Sequence, residues 1–383
     1  MKRVLFITDY FRPEPGGLEG LFVGIARHWP RDAMEVIVTA RNRDYLSAPD
    51  DRERFDHAED YGVFRRSPFA KGGFLGTRLN PDFSTLLSQR LESFSPNHVI
   101  LGQISRSAVM VLKVLARYGL PYSVFLNGGD FKNKLGYLNF RERGIVLGAR
   151  NVFTLSRYLA RGARGFGIPE EKITVIPAGM EPRWKSSGRG KTLPKELRER
   201  IGKKTVLVGV GPFVPRKGLD QAVEALHQLP DLHERLHLVL AGSGPEFPYL
   251  QELVRIRGLE QHVTMTGFLD DEILGSLMRR ADVFVQPGAE REDDIESMGT
   301  ALMEAAWFGM PTIVGNVGGV EEIVKDGVSG FVVEAGKGKS LAEKIRELTV
   351  SERLKTRMGK NAREIAQKEY DMSRTCAAIL SRI

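Results

Sequence analysis

The segment VFVQPGAEREDDIESMGTALMEAAWFGMPTIV, residues 283–314, contains a complete strand–helix–strand unit. Val283–Gln286 and Thr312–Val314 are short apolar runs rich in β-branched residues, which predicts two strands. Between them, Thr300–Gly309 carries the pattern of a helix. Two strands joined through a helix lie parallel in one sheet, so this segment favours an α/β fold.

The same alternation of short apolar runs and helical patterns extends over most of the chain. Further strands are predicted at Arg3–Thr8, Glu35–Thr39, His98–Leu101, Tyr122–Leu126, Asn151–Thr154, Thr205–Val210, Leu236–Ala241, Val263–Thr266 and Gly330–Val333. Further helices are predicted at Leu21–Trp29, Ser107–Tyr118, Leu219–Gln228, Tyr249–Arg257, Asp271–Arg280 and Gly319–Lys325. We therefore expect doubly wound parallel sheets with helices on both faces.

The length and composition of the chain predict two α/β domains. A chain of 383 residues is long enough for two cores. Residues 185–194, KSSGRGKTLP, are polar and rich in Gly and Ser, which is typical of a linker. We predict an N-terminal domain over residues 1–185 and a C-terminal domain over residues 186–365.

The charge of the chain is unevenly distributed. Its net charge is +8, and residues 1–185 hold 28 Lys and Arg against 19 Asp and Glu, a net +9, which leaves −1 for the remainder. Residues 104–165 are the most basic part, with 11 basic residues against two acids, Asp130 and Glu142. This asymmetry indicates that the N-terminal domain meets an anionic partner.

Cysteine content and hydropathy limit the location of the protein. The single cysteine, Cys376, excludes a disulfide framework and suggests a reducing compartment. The apolar run after Met1 is too short for a signal peptide, and no run approaches the 18 residues that a membrane span needs. We expect a cytoplasmic protein, or one bound peripherally at the inner face of a membrane.

Two glycine-rich loops follow predicted strands, where ligands of open α/β sheets bind. The dinucleotide fingerprint G-x-G-x-x-G and the Walker loop are both absent. Gly16 and Gly17 follow the first strand, and Gly242 follows the strand LHLVLA. Missing side chains let a backbone approach a phosphate, but a tight turn before a helix explains these glycines equally well.

The segment PRKGLD, residues 215–220, places two cations between a strand and a helix. The helix dipole disfavours Arg216 and Lys217 at this position unless they share an anion with the backbone N–H groups. Binding of an anionic ligand is therefore favoured over solvated surface charge.

Two glutamates, Glu296 and Glu304, flank the start of the predicted helix Thr300–Gly309. The amides of Met298, Gly299 and Thr300 would face a diphosphate at the helix N-terminus. The two carboxylates would accept hydrogen bonds from vicinal hydroxyls of a sugar or a ribose.

These motifs combine with VIPAGME at 175–181, LAGSGP at 240–245, TGFLDD at 266–271 and GGVEEIVKDGVSGFVV at 318–333. Together they resemble the retaining glycosyltransferases of the GT-B fold, family 4, over nearly the whole chain. The acidic stretch before Glu296, together with Met298 and Gly299, is most similar to mannosyltransferases that act on phosphatidylinositol mannosides. The resemblance implies two Rossmann-like domains facing across a cleft, with a C-terminal helix at about 366–383 crossing back to the first domain.

The resemblance also implies roles for individual residues. Glu304 would hold the ribose and Glu296 the donor sugar, with Lys217 neutralising the leaving diphosphate. The remaining donor-binding candidates are backbone groups at Gly16, Gly17, Gly211, Gly242, Phe268, Ser297, Met298, Gly299 and Thr300. Transfer of a hexose, of the mannose or glucose type, from GDP-mannose or a UDP-sugar to a lipid-linked or glycan acceptor is expected, with retention and without a metal cofactor.

Two positions depart from the family pattern. Asn127 stands where the family usually has a histidine, and it cannot carry a proton near neutral pH. Pro212 stands where the family usually has an arginine, which leaves Arg216 as the candidate replacement. A catalytically impaired sugar-nucleotide-binding protein and a UDP-sugar epimerase of the GT-B fold remain the alternatives.

The basic segment of residues 104–165 has two interpretations. Its arginines, Arg141, Arg143, Arg150, Arg157, Arg161 and Arg164, are either the polar faces of two helices or a surface for anionic lipid. Nucleic acid is not expected as a partner, because no recognition motif is present and aromatic residues are sparse.

Overall fold

The computed structural model describes residues 2–39, 47–70, 78–131, 140–176, 178–180, 192–289, 296 and 298–383. The side chains of residues 129, 131 and 140–142 are not described. The chain divides into two compact units: unit 1, Met1–Glu181 with Asp371–Ile383, and unit 2, Pro182–Tyr370. The last segment of the chain therefore belongs to the first unit.

Unit 1 is built on a seven-stranded sheet in the order β3-β2-β1-β4-β5-β6-β7, and its described ladders are parallel. Its strands are β1 (Val4–Thr8), β2 (Met34–Val38), β3 (Gly62–Arg65), β4 (His98–Leu101), β5 (Tyr122–Leu126), β6 (Asn151–Thr154) and β7 (Ile173–Val175). Its helices are α1 (Gly17–Arg27), α2 (Pro49–Ala58), α3 (Pro81–Phe94), α4 (Arg106–Leu115), α5 (Gly128–Phe131), α6 (Phe140–Gly148), α7 (Arg157–Gly165) and, after unit 2, α15 (Met372–Leu380).

Unit 2 is built on a six-stranded parallel sheet in the order β10-β9-β8-β11-β12-β13. Its strands are β8 (Thr205–Val210), β9 (Leu236–Ala241), β10 (Val263–Gly267), β11 (Val283–Gln286), β12 (Thr312–Gly315) and β13 (Gly330–Val333). Its helices are α8 (Lys195–Ile201), α9 (Leu219–His227), α10 (Phe247–Ile256), α11 (Asp271–Arg280), α12 (Thr300–Trp307), α13 (Gly338–Val350) and α14 (Glu352–Glu369).

Helices cover both faces of the unit 1 sheet. The side chains of β1, which point alternately to the two faces, contact helices on each side. Leu5 and Ile7 join the core formed with α3, α4 and α6. On the other face, the ring of Phe6 lies 5.0 Å from that of Phe22 in α1. The predicted α/β fold with parallel sheets is thus confirmed, since buried parallel strands need helices on both sides.

Two predicted elements differ from the structure for local reasons. The helix predicted at Gly319–Lys325 is wrong: the structure has only a 3-10 turn there, Val320–Glu322. The amide of Gly319 donates to the carbonyl of Glu296 instead of starting a helix. Likewise, Arg216 and Lys217 do not lie in the first turn of a helix but in a 3-10 turn, Pro215–Lys217, just before α9.

The C-terminal helix α15 packs into the core of unit 1. Cys376 and Ile379 are buried. A Cβ on Gly24 of α1 would lie 2.3 Å from the Met372 methyl carbon, so the glycine lets the two helices approach. The amide of Asn151 donates to the carbonyl of Arg382 over 3.0 Å. Within the described residues, no helix is long and apolar enough to cross a membrane.

Candidate functional site

A turn after β8 positions the two cations of unit 2. The amides of Gly288 and Ala289, in the loop after β11, donate to the carbonyls of Lys217 (3.1 Å) and Arg216 (3.2 Å). Gly218 follows at φ 62°, and a Cβ there would lie 2.5 Å from the Gly288 carbonyl oxygen. Only glycine fits this left-handed, crowded position, so the turn is fixed against the β11 loop.

Lys217 and Arg216 share the carboxylate of Glu296. Lys217 Nζ lies 2.8 Å and Arg216 Nε 3.3 Å from Glu296 Oε2. The Lys217 ammonium also donates to Gln286 Oε1 over 3.2 Å, and the Lys217 side chain is 7% exposed. Burial alone raises the pKa of Glu296, but the charges of Lys217 and Arg216 hold that pKa below its usual value. The carboxylate is therefore ionised and acts only as a hydrogen-bond acceptor.

Two glycines at the carboxyl ends of β8 and β9 make room for this cluster. A Cβ on Gly211, at φ 139°, would lie 3.2 Å from Lys217 Cε. A Cβ on Gly242, at φ 145°, would lie 1.9 Å from the Gly211 carbonyl oxygen. Gly242 thus allows the loops after β8 and β9 to pack closely. Gly211, which takes part in this contact, in turn leaves room for the side chain of Lys217.

The start of α12 lies next to Glu296 in the chain. Gly299 is the N-cap at φ 73°, and Thr300 begins the helix. Met298 and Glu304 are buried, at 6% and 5% exposed. The Gly319 amide holds the Glu296 carbonyl over 3.0 Å. Ser297, predicted to bind the donor, lies outside the described residues.

Phe268 is the most exposed of the large hydrophobic side chains that the structure describes, at 70%. It follows β10, so it stands at the same carboxyl edge of the sheet as Gly211, Gly242 and Glu296. Polar and glycine residues predicted to bind one ligand therefore follow neighbouring strands of a single sheet edge, the usual ligand edge of an open α/β sheet.

The carboxyl group of Glu19 lies against the loop after β1 in unit 1, and no role was predicted for it from the sequence. Gly16 is the N-cap of α1 and Gly17 its first residue. A Cβ on Gly16 would lie 1.9 Å from Glu19 Oε2, so the Glu19 carboxyl lies against this loop. Burial raises the pKa of Glu19 to about 7, with Arg12 opposing and Glu14 adding to the shift.

Asn127 is buried after β5, in unit 1. Its amide nitrogen Nδ2 donates to the Gly102 carbonyl over 2.9 Å, and its backbone N–H donates to Asp130 Oδ2 over 2.8 Å. Its Oδ1 is buried without a hydrogen-bond partner, so its capacity to accept a hydrogen bond is unused in this structure. The hydrogen bonds of the amide thus orient the side chain, although it has no proton that titrates near neutral pH.

Sequence reasoning missed two further polar groups at these edges. Gln286 accepts a hydrogen bond from Lys217 and is the last residue of the apolar strand β11. A polar residue at the end of a buried strand was the sequence signal that could have identified it. Asp9 follows β1, and burial raises its pKa although hydroxyls including that of Thr39 donate to it. Among the described residues, no group of three His, Cys, Asp or Glu side chains could hold a metal ion.

Two family models match the chain, one in each half. Residues 194–365 match "Glycosyl transferases group 1" and residues 16–179 match "Glycosyl transferase 4-like domain". Among curated proteins, the chain is 32% identical over 378 residues to a GDP-mannose-dependent alpha-(1-6)-phosphatidylinositol monomannoside mannosyltransferase of Mycobacterium tuberculosis, covering 95% of this chain and 93% of that protein. It is 30% identical to an alpha-D-kanosaminyltransferase of Streptomyces kanamyceticus, over 46% of this chain and 45% of that protein.

Solved structures share the fold. The structure of Anabaena HepE in complex with UDP and glucose has a TM-score of 0.78 at 22% identity, covering 100% of this chain and 99% of that one. A sucrose-phosphate synthase of Thermosynechococcus elongatus has a TM-score of 0.76 at 18% identity, covering 99% and 98%.

Proposed function

Because the chain belongs to the GT-B glycosyltransferases of the family 4 type, which move a sugar from a nucleotide sugar, we propose that it is a retaining hexosyltransferase. Unit 2 binds the nucleotide diphosphate sugar, and unit 1 binds a lipid-linked or glycan acceptor. The observation that carries this proposal is the buried contact of Lys217 with the ionised Glu296.

The cluster fits the charge changes of sugar transfer. When the bond between the anomeric carbon and the diphosphate breaks, negative charge develops on the leaving phosphate. Lys217 and Arg216, already fixed by the β11 loop, would stabilise that charge without reorganising. Glu296 would accept hydrogen bonds from hydroxyls of the transferred sugar, since its low pKa keeps it an acceptor.

The donor is a hexose carried by GDP or UDP. The mycobacterial relative is named for GDP-mannose, and HepE was solved with UDP and glucose. Exposed Phe268 offers a ring surface to a base, and buried Glu304 offers a carboxylate to a ribose. Neither side chain by itself distinguishes guanine from uracil. Both a GDP-sugar and a UDP-sugar are therefore included in the test.

We propose retention because the retaining GT-B family that the chain resembles reacts on one face of the sugar. By the same resemblance, a leaving-phosphate oxygen removes the proton of the acceptor on the face that the diphosphate leaves. Asn127 would orient a hydroxyl but cannot accept its proton. The new bond forms on that same face, the charge is stabilised by Lys217 and Arg216, and no resident metal is needed.

The acceptor side of the proposal is supported by the charge of unit 1. On α7, Arg157, Arg161 and Arg164 are exposed, while Leu159, Ala160 and Ala163 face the core. Arg157 and Arg161 are four residues apart on the exposed face of this helix, which makes them the candidates for lipid phosphates. Arg143 and Arg150 are also exposed, and the side chain of Arg141 lies outside the described residues. An anionic membrane surface would then bring a lipid-linked acceptor to unit 1.

The decisive experiment compares Lys217→Met and Glu296→Gln with the wild type. Purified protein is incubated with GDP-mannose or UDP-glucose and with glycolipid and oligosaccharide acceptors, and products are detected by mass spectrometry. Each substitution should lower transfer at least about hundredfold, as loss of a preorganised charge does. The control Lys337→Met removes an exposed lysine, 62% exposed and paired with Glu334, and should leave transfer unchanged.

Each other outcome has a defined meaning. Near-wild-type transfer in either variant, with its unfolding temperature unchanged, would contradict the site assignment. Nucleotide binding without transfer to any acceptor would favour the impaired sugar-nucleotide-binding protein, and an epimerised donor sugar would favour the epimerase. An inverted anomer in the NMR spectrum of the product would overturn retention.

A further inference from the structure

Gln286 closes strand β11 at the ligand edge of unit 2. Residues 283–285 of this strand are apolar and fully buried, whereas Gln286 is polar and 2% exposed. In the sheet order β10-β9-β8-β11-β12-β13, the chain runs from β8 to β10 on one side and continues with β11 on the other. The strand order therefore reverses between β8 and β11, and ligands of open α/β sheets bind at such a reversal.

Lys217 reaches Gln286 from the β8 side of this reversal. Its Nζ donates to Gln286 Oε1 over 3.2 Å and lies 2.8 Å from Glu296 Oε2. In the part of the chain that the structure describes, these two oxygens are the acceptors of the ammonium. Because a lysine ammonium has three N–H donors, one donor is left for an oxygen of a ligand.

The absence of a side chain at Gly211 leaves one side of the ammonium uncovered. A Cβ on Gly211 would lie 3.6 Å from Lys217 Nζ, in van der Waals contact with it. A lysine ammonium is a compact charge on a flexible stem, so a single ion pair with Glu296 does not fix the direction of its donors. The second acceptor, Gln286, fixes that direction.

Gln286 holds the ammonium without changing the charge of the cluster. Lys217 and Arg216 each carry one positive charge, and Glu296 carries one negative charge because the two cations hold its pKa below the usual value. The sum is +1, which attracts a diphosphate. A carboxylate in place of the Gln286 amide would accept the same hydrogen bond but would bring the sum to zero.

We propose that Gln286 is a positioning residue, which directs the Lys217 ammonium toward the diphosphate of the donor and leaves its charge uncancelled. The proposal rests on the proposed function, since it concerns the lysine that is assigned to the leaving diphosphate. Gln286 is itself buried, so it acts through Lys217 and not by contact with the donor.

A double-mutant cycle on the full chain tests this role, with the dissociation constants of UDP and GDP measured by calorimetry. Gln286→Met keeps the length of the side chain and removes its acceptor. It should weaken nucleotide binding about tenfold, the effect of one lost hydrogen bond to a charged group. In a Lys217→Met background, the same substitution should change binding less than about twofold. An equal loss in both backgrounds would show a merely structural role and would overturn the proposal.

Gln286→Glu tests whether the acceptor must be neutral. It keeps an oxygen acceptor but cancels the net charge, so it should weaken nucleotide binding at least as much as Gln286→Met. Binding as in the wild type would overturn the proposal, and this variant also decides if Gln286→Met does not fold. The matched control Gln251→Met alters an exposed glutamine on α10 and should change nothing.

Sugar transfer, measured in the same variants, separates this proposal from the proposed function. Transfer should fall at least about tenfold in Gln286→Met. A wild type that binds UDP or GDP but transfers no sugar would contradict the proposed function, while the binding cycle would still decide the role of Gln286. Transfer by the wild type together with an additive cycle would contradict only the role of Gln286. A wild type that binds neither nucleotide would overturn both.

Discussion

The ammonium of Lys217 is held by a carboxylate and by an amide. Glu296 compensates its charge at 2.8 Å, and Gln286 accepts a further hydrogen bond at 3.2 Å. The sequence singled out the two charged members through their motifs. It did not single out Gln286, since a glutamine that closes a strand belongs to no motif and its partner is distant in the chain. The charge and spacing of residues in a motif can be read from the sequence, whereas a contact between residues of two separate loops can be seen only in the folded structure.

Glu19 supplies a prediction about pH. Its pKa is raised by burial to about 7, against an ordinary value of 4.5, so the folded chain holds a proton that the unfolded chain releases. Stability is therefore lost as the pH rises from about 4.5 to 7, and Glu19→Gln should be more stable than the wild type above pH 7, by about 1–3 kcal/mol.

The pKa of Glu19 itself can be measured with 13C-labelled glutamate. The carboxyl resonance that disappears in Glu19→Gln should titrate with a midpoint near 7. A midpoint near 4.5 would show that the carboxyl is solvated and does not lie buried against the Gly16 loop.

The strands of unit 2 were easier to predict than those of unit 1. β8, β9, β11 and β13 have their predicted bounds, because buried parallel strands are continuous apolar runs between polar loops. β3 and β7 were not predicted. They are only partly buried, so their sequences carry no run of buried apolar residues. The four-residue strands β11 and β13 are as short but buried, so burial and not length decides whether the sequence reveals a strand.

Helix α7 supplies a prediction about membrane binding. Arg157→Glu combined with Arg161→Glu should lower binding to anionic vesicles at least about tenfold, because each basic residue near the surface contributes about 1 kcal/mol. The matched control is Arg353→Glu with Arg357→Glu on α14, which makes the same charge change at the same spacing in unit 2. Both pairs are exposed.

Vesicle flotation with and without phosphatidylserine measures this effect. Binding should fall as salt is raised. Equal binding to neutral vesicles, or an equal loss in the α14 control, would show that α7 is not the membrane-binding surface.

At the scale of the whole molecule, the chain passes between its units twice. It leaves unit 1 after Glu181 and returns at Asp371, and Met180 and Asp371 form a parallel bridge. The sequence predicted two α/β units from the repeated strand–helix pattern and the polar linker. That α15 packs on unit 1 was predicted only from the family resemblance. The apolar face of Met372, Cys376 and Ile379 predicts a buried helix but not the surface against which it packs.

Because the chain crosses between the units twice, one cleavage in the linker is expected not to separate them. With a protease site inserted between Ser187 and Gly188, cleavage should give two fragments in a denaturing gel but one species in gel filtration. The second fragment carries α15, whose buried side chains hold it in unit 1. A second site inserted after Tyr370 should release unit 2. Separation after the first cut alone would show that α15 does not hold the units together.

The position of α15 also affects how the protein is made. Unit 2 is an insertion within unit 1, and its whole sequence leaves the ribosome before the segment that completes unit 1. The later unit in the chain can therefore finish folding first, against the usual order of domains during synthesis. Until α15 has left the ribosome, the surface of α1 around Gly24 stays uncovered, and uncovered apolar surface favours aggregation of a nascent chain.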